Sequence, residues 1–150
     1  MEKIVVGKYR FLFLALGLLL IDQLSKVFIL LSQPSFSNQL FQITLTFNTG
    51  ALFSFLSSAS WSNIFFIILS VLLVAGMIYL FHEYPKLRLS LSFLLAGAVG
   101  NLIDRIRLGA VVDFIDFRFW PIFNFADMFI LTGIILAFIV LLKHEELTSE

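Results

Sequence analysis

Four long apolar segments dominate this chain: residues 11–31, 61–81, 89 to about 106, and about 125 to 142. Each approaches the ~20 residues that a helix needs to cross the hydrocarbon of a bilayer. The stretches 32–60 and 107–124 between them each hold an alternating run. Residues 42–47 alternate Gln42, Thr44 and Thr46 with Ile43, Leu45 and Phe47, and residues 115–119 alternate Ile115, Phe117 and Phe119 with Asp116 and Arg118. Both runs predict half-buried strands. Strands close to lipid need partners for their N–H and C=O groups, so a small surface sheet follows. The expected fold is an all-α integral membrane protein: four transmembrane helices in one domain spanning 1–150, with a small external β-sheet/loop platform.

Composition strengthens this reading and removes others. The chain is 60 % hydrophobic and only 13 % charged, with 19 Phe in 150 residues, which is too much apolar surface to bury in a soluble domain of this size. A formal net charge of zero leaves no basic field for nucleic acid. With no cysteine, disulfides, thiolate nucleophiles and Cys-ligated metals are excluded. The first span is too long for a signal peptide and no small-residue cleavage site follows it, so it reads as a retained anchor. No repeat of 20 to 50 residues is present.

Charge placement sets the expected orientation, because Lys and Arg are retained on the cytoplasmic side. Lys3, Lys8, Arg10, Lys86, Arg88 and Lys143 fall on one side of a four-span chain, whereas 32–60 contains no Lys or Arg. Both termini are therefore expected in the cytoplasm. Lys26, Arg105, Arg107 and Arg118 lie toward the outer side together with Asp22, Asp104, Asp113, Asp116 and Asp127, a grouping that suggests a site.

Several of these residues admit two readings. Asp22 and Lys26 share a helix face four residues apart, as a packing ion pair or as part of a site. Asn101 and Arg105 have the same spacing on the third helix, where Ala96 and Gly100 form a small-xxx-small surface. Arg105 reads either as a snorkelling anchor or, with Asp104 beside it, as an interior group. Asn124 and Asp127 fit a helix cap and its acidic first turn. Asp113, by contrast, sits among Val111, Val112 and Phe114, where nothing structural calls for a carboxylate. His82 and His144 fall on the cytoplasmic side, which leaves carboxylate chemistry, Ser/Lys chemistry using Lys26 with Ser54 or Ser57, or transport. Asp22 should hold Lys26 protonated and so disfavours Lys26 as a base. A metal site from Asp113, Asp116 and Asp127 is a further alternative, although Asp116 alternates toward water.

The motifs Asp22-Gln23-Leu24-Ser25-Lys26, Phe47-Asn48-Thr49-Gly50-Ala51, 97–105 (GAVGNLIDR), 109–114 (GAVVDF) and 123–127 (FNFAD), in this order on four spans, resemble the bacterial lipoprotein signal peptidases, also called signal peptidase II. The resemblance implies an intramembrane aspartyl endopeptidase, without cofactor or metal, that cuts prolipoproteins before a diacylglyceryl-modified cysteine. By that resemblance Asp113 and Asp127 are the catalytic dyad. Asp22, Lys26, Asn48, Gly50, Asn101, Asp104, Arg105 and Asn124 are supporting or substrate-binding residues, with Asn48 and Arg105 holding the substrate backbone. The implied partners are the prolipoprotein and membrane lipid, with the enzyme a monomer in the bacterial inner membrane and its site toward the outer face. The chain departs from the family pattern at Ala96, at Met128 and in the short connection from Asp113 to Asp127.

The orientation is directly testable. A cysteine introduced at Ser37 is expected to react with an impermeant thiol reagent added from outside the cell. Labelling there only from the cytoplasmic side would reverse the assignment.

Overall fold

The computed structural model describes residues 2–50 and 61–148, with side-chain environments for 9–50 and 61–143. The chain runs α1 (Glu2–Ser32), β1 (Phe36–Ser37), β2 (Gln42–Asn48), α2 (Ser62–Glu83), a 3₁₀ turn (Pro85–Leu87), α3 (Arg88–Leu108), β3 (Val111–Asp116) and α4 (Phe125–Thr148). All four helices are long and apolar enough to span a membrane. They extend past the expected spans by a residue or more at most ends, because the backbone stays helical after the apolar run stops. Ser54 and Ser57, candidates for Ser/Lys chemistry, lie outside the described residues.

α3 occupies the middle of the bundle, packed on each of the other three helices. It does so through its small and polar residues: Ser90, Ser92, Ala96, Gly97, Gly100, Asn101 and Asp104 are all buried. In lipid no hydrophobic force separates helix from solvent, so association rests on close packing and on hydrogen bonds. Gly97 brings α3 against the Ala126 carbonyl of α4, and Gly133 of α4 packs on the Ser90 carbonyl and Leu94 of α3. At the far end of the bundle, the Ser92 hydroxyl lies 2.9 Å from the Phe11 carbonyl of α1, and buried Arg88 donates through Nε to the Phe81 carbonyl at 3.1 Å. Leu, Ile and Phe side chains such as Phe13, Leu24, Phe28, Leu72 and Phe138 point outward.

The three strands form an antiparallel sheet in the order β1-β2-β3, at the end of the bundle where α1 and α3 finish and α2 and α4 begin. Phe114 and Ile115 of β3 pack with Ile29 of α1, and Phe41, Ile43, Leu45, Phe123 and Phe125 surround them. The third strand differs from expectation. It covers Val111–Asp116, four residues earlier than the alternating run at 115–119, and its first five residues are all buried. A strand covered on both faces carries no alternation, so its pattern was invisible. Beyond it, Arg118 adopts a positive φ of 65° and its N–H bonds the Asp116 carboxylate at 2.7 Å, which ends the strand. Asp116, expected to face water, is half-buried in this turn.

β2 carries an irregularity that the sequence did not announce. Ile43 opposes Ile115 and Thr46 opposes Asp113, so β2 holds one residue more than β3 over this stretch. Such a bulge switches which residues share a face. Phe47 is consequently 52 % exposed instead of lying inward with Ile43, and Asn48, opposite Val111, becomes the diagonal neighbour of Asp113.

Gly100 faces a second element at close range. A Cβ built there would lie 2.5 Å from Asp22 Oδ2 and 3.4 Å from Ala126 Cβ. Gly100→Ala should therefore lower stability by about 1–3 kcal/mol, the usual range for overpacking. Gly76→Ala, where nothing lies within 4 Å, should be neutral or stabilising. Unfolding of the purified protein in detergent compares the two.

Candidate active site

The polar residues predicted from sequence converge at the sheet end of the bundle. Lys26 of α1 is 2 % exposed, and a buried ammonium needs an acceptor for each of its three protons. It finds Asp22 Oδ2 at 2.9 Å, Asp104 Oδ2 at 2.8 Å and Asn101 Oδ1 at 3.1 Å. With every proton committed and two carboxylates beside it, Lys26 is not placed to act as a base. Gln23, the neighbour of Asp22, adds an amide Nε2 within 3.0 Å of Asp22 Oδ2, 3.2 Å of the Gly100 carbonyl and 3.4 Å of Asp104 Oδ1. Sequence reading passed over Gln23, although its place inside a charged motif within an apolar helix was a usable signal.

Asp127 belongs to the start of α4. The Asn124 side-chain carbonyl accepts the Asp127 N–H at 3.0 Å, and Asp127 Oδ2 accepts the Asn124 N–H at 3.2 Å, a reciprocal capping box. Asp127 Oδ1 accepts from Asn101 Nδ2 at 2.8 Å. The capping reading and the site reading thus describe the same atoms. Asp113 enters from the sheet. Its Oδ1 accepts from Asn124 Nδ2 at 2.6 Å, and its Oδ2 accepts from Asn48 Nδ2 at 3.0 Å. Asn124, wholly buried, therefore touches both carboxylates, and Phe123 just before it pairs with Ile115 of β3, which holds it in reach.

Asp113 is buried, and this burial followed by the charge of Asp127 pushes its carboxyl up to about 7, against the donors of Asn48 and Asn124 and the charge of Lys26. Because folding raises this value, the contribution of Asp113 to stability is fullest below the ordinary carboxylate range and is lost as pH rises through about 7.

Asn48 Oδ1 accepts the Gly50 N–H at 3.0 Å, and Arg105 Nη2 donates to the Gly50 carbonyl at 3.0 Å, so the end of β2 is held from both sides. The Arg105 guanidinium lies 5.3 Å from the Phe66 ring centre, and its Nε is buried without a hydrogen-bond partner among the described residues. Arg105 is therefore an interior group and not a snorkelling anchor. Asn63 at the start of α2, also missed from sequence, donates to the Arg105 carbonyl at 3.4 Å. A lone amide in an apolar span was the available clue. Among the described residues no three carboxylates or imidazoles converge as metal ligands, and Asp116 is engaged with Arg118 instead of with Asp113 and Asp127.

Comparison with known proteins identifies the family. The family model described as signal peptidase (SPase) II matches residues 14–143. A lipoprotein signal peptidase of Moorella thermoacetica is 46 % identical over 134 residues, covering 84 % of this chain and 88 % of that protein. One of Neisseria meningitidis serogroup C is 36 % identical over 167 aligned positions, covering 100 % and 99 %. Two solved structures, each described as a bacterial membrane enzyme determined by the in meso method, superpose with TM-scores of 0.80 and 0.78 at 33 % and 32 % identity. They cover 89 % of this chain and 88 % and 93 % of theirs. With its four candidate spans, its three-stranded sheet and this match over most of its length, the chain belongs to the signal peptidase II family.

Proposed function

We propose that the protein is an aspartyl endopeptidase of the bacterial cytoplasmic membrane that releases the signal peptide from diacylglyceryl-modified prolipoproteins, with Asp113 and Asp127 as its catalytic pair. The observation that carries this reading is the Asn124 side chain, whose amide donates to Asp113 and whose carbonyl caps the helix bearing Asp127. Two carboxylates held this way by neutral amides, with no ion pair to either among the described residues, favour sharing one proton over full ionisation. The ionised member takes a proton from water as the water oxygen bonds to the scissile carbonyl carbon. The protonated member gives its proton to the carbonyl oxygen, and a gem-diol results. The newly protonated member then gives its proton to the amide nitrogen while the other takes one from a gem-diol hydroxyl, so the C–N bond breaks, the acid and amine leave, and the pair again holds one proton. No metal or other cofactor enters.

Arg105 suits substrate binding because its Nε–H is a buried donor with no acceptor among the described residues, and a peptide carbonyl of an extended substrate supplies one. Asn48 and Gly50 hold the strand edge beside Asp113. Asn101 and Asn124 fix the carboxylates, while Asp22, Lys26 and Asp104 support them from behind. The exposed aliphatic and aromatic faces of the helices accommodate the diacylglyceryl chains and the signal-peptide helix in lipid. The enzyme acts as a single-domain monomer with both termini cytoplasmic and its site toward the outer face.

Cleavage of a synthetic diacylglyceryl prolipoprotein peptide by the purified protein tests the assignment. Asp113→Asn and Asp127→Asn should each fold and insert yet lose at least about 10²–10⁴-fold in kcat, and the double variant should be little worse than either, because the pair acts as one unit. Chelators should leave the rate unchanged. Near-normal turnover by either single variant, or rescue by a divalent cation, would refute the pair.

The raised Asp113 value also predicts a pH profile. The rate should fall on the alkaline side with a midpoint near 7, where the shared proton is lost. Asn48→Ala removes a donor that stabilises the ionised carboxylate, so its alkaline limb should move to higher pH. A limb that stays in place or moves down contradicts the role given to Asn48.

A further inference from the structure

Lys26 is surrounded in a way that simple charge pairing does not require. Each of its two carboxylate partners uses a further contact to grip a backbone N–H on another element. Asp22 Oδ1 accepts the N–H of Ala126 at 2.9 Å, and Asp104 Oδ2 accepts the N–H of Val112 at 3.2 Å. Ala126 immediately precedes Asp127, and Val112 immediately precedes Asp113. One buried cation therefore links, through two short and rigid carboxylates, the backbone positions next to both aspartates. Asn101, the third acceptor of Lys26, reaches the Asp127 carboxylate itself. Gln23 braces the two carboxylates from the other side, and the absence of a side chain at Gly100 leaves room for Asp22 beside α3.

We propose that Asp22, Lys26 and Asp104 act as a gauge that sets the spacing of Asp113 and Asp127 by clamping the backbone one residue before each of them. They are positioning residues, and the proposal rests on Asp113 and Asp127 being the catalytic pair. A gauge depends on length, whereas a stabilising ion pair depends on charge. The distinction matters because the two ideas rank the same variants in opposite order. Asp→Glu preserves the charge but adds one carbon–carbon bond, about 1.5 Å, between the clamp and its helix. Asp→Asn keeps the length and one carbonyl acceptor for the backbone N–H but drops the charge.

The experiment compares Asp104→Glu with Asp104→Asn, and Asp22→Glu with Asp22→Asn, in the full chain reconstituted in lipid nanodiscs. Cleavage of the lipopeptide gives kcat and KM, and thermal unfolding is measured alongside. A misplacement on the ångström scale costs roughly 10²-fold in rate, so the Glu variants should lose about that factor in kcat with KM within about twofold of wild type. The Asn variants should retain more kcat than the Glu variants even where they unfold at lower temperature. Glu variants that match wild-type kcat, or a ranking in which Glu outperforms Asn, would overturn the gauge.

A second measurement needs neither turnover nor the long side chain. Asp104→Ala should speed hydrogen exchange of the Val112 amide, and Asp22→Ala that of Ala126, each beyond the change at other amides of the same element. Unchanged protection at both amides would overturn the clamp. Failure of the catalytic assignment is separately visible, since Asp113→Asn would then stay active whatever the exchange data show.

Discussion

A lysine ammonium buried among helices in lipid is the constraint on which the rest of this structure depends. Removing such a charge from water costs several kcal/mol unless oxygens surround it. Lys26 obtains three, one from its own helix and two from α3. That need fixes the rotation of α1 against α3, and it leaves two carboxylates with spare lone pairs in a place without water. These lone pairs take the N–H groups of Ala126 at the start of α4 and of Val112 at the start of β3. Electrostatic necessity at one residue thus docks four elements. Arrangements of this kind add little net stability compared with an apolar core. What they supply is a single geometry.

The candidate pair is reached from two directions by two different kinds of backbone. Asp127 is delivered by a helix start, where the amides of Asn124 and Asn101 meet it. Asp113 is delivered by a buried strand whose position is set at both ends. Upstream, Gly109 closes α3 in the left-handed conformation, with φ of 75°, and its N–H returns to the Arg105 carbonyl, so the chain reverses directly into β3. Downstream, the pairing of Ile115 with Phe123 folds the short connection back and places Asn124 beside Asp113. The brevity of that connection, noted in the sequence as a departure from the family pattern, is consistent with this tight return.

Much of the membrane architecture was legible before any coordinates. Segments of about 20 apolar residues can do little else than span a bilayer as helices, since each must satisfy its own backbone bonds there. The i,i+4 spacing of Asp22 and Lys26 made their pairing readable for the same reason, because it depends on one helix alone. The ordered motifs also pointed to the aspartates, and the capping pattern at Asn124 and Asp127 was visible as a local signal.

What the chain alone determined, then, were properties each segment carries by itself: span lengths, a strand at 42–47, a capped helix at 125, and an ion pair within one turn. Only the tertiary structure decided that Asp104 completes the coordination of Lys26, that a bulge in β2 turns Asn48 toward Asp113, that β3 begins at Val111, and that Gln23 and Asn63 join the polar network. These features share one physical cause. Each satisfies a buried charge or N–H with a group distant in sequence, and which partner serves is settled by packing distance, for which periodicity and propensity hold no record.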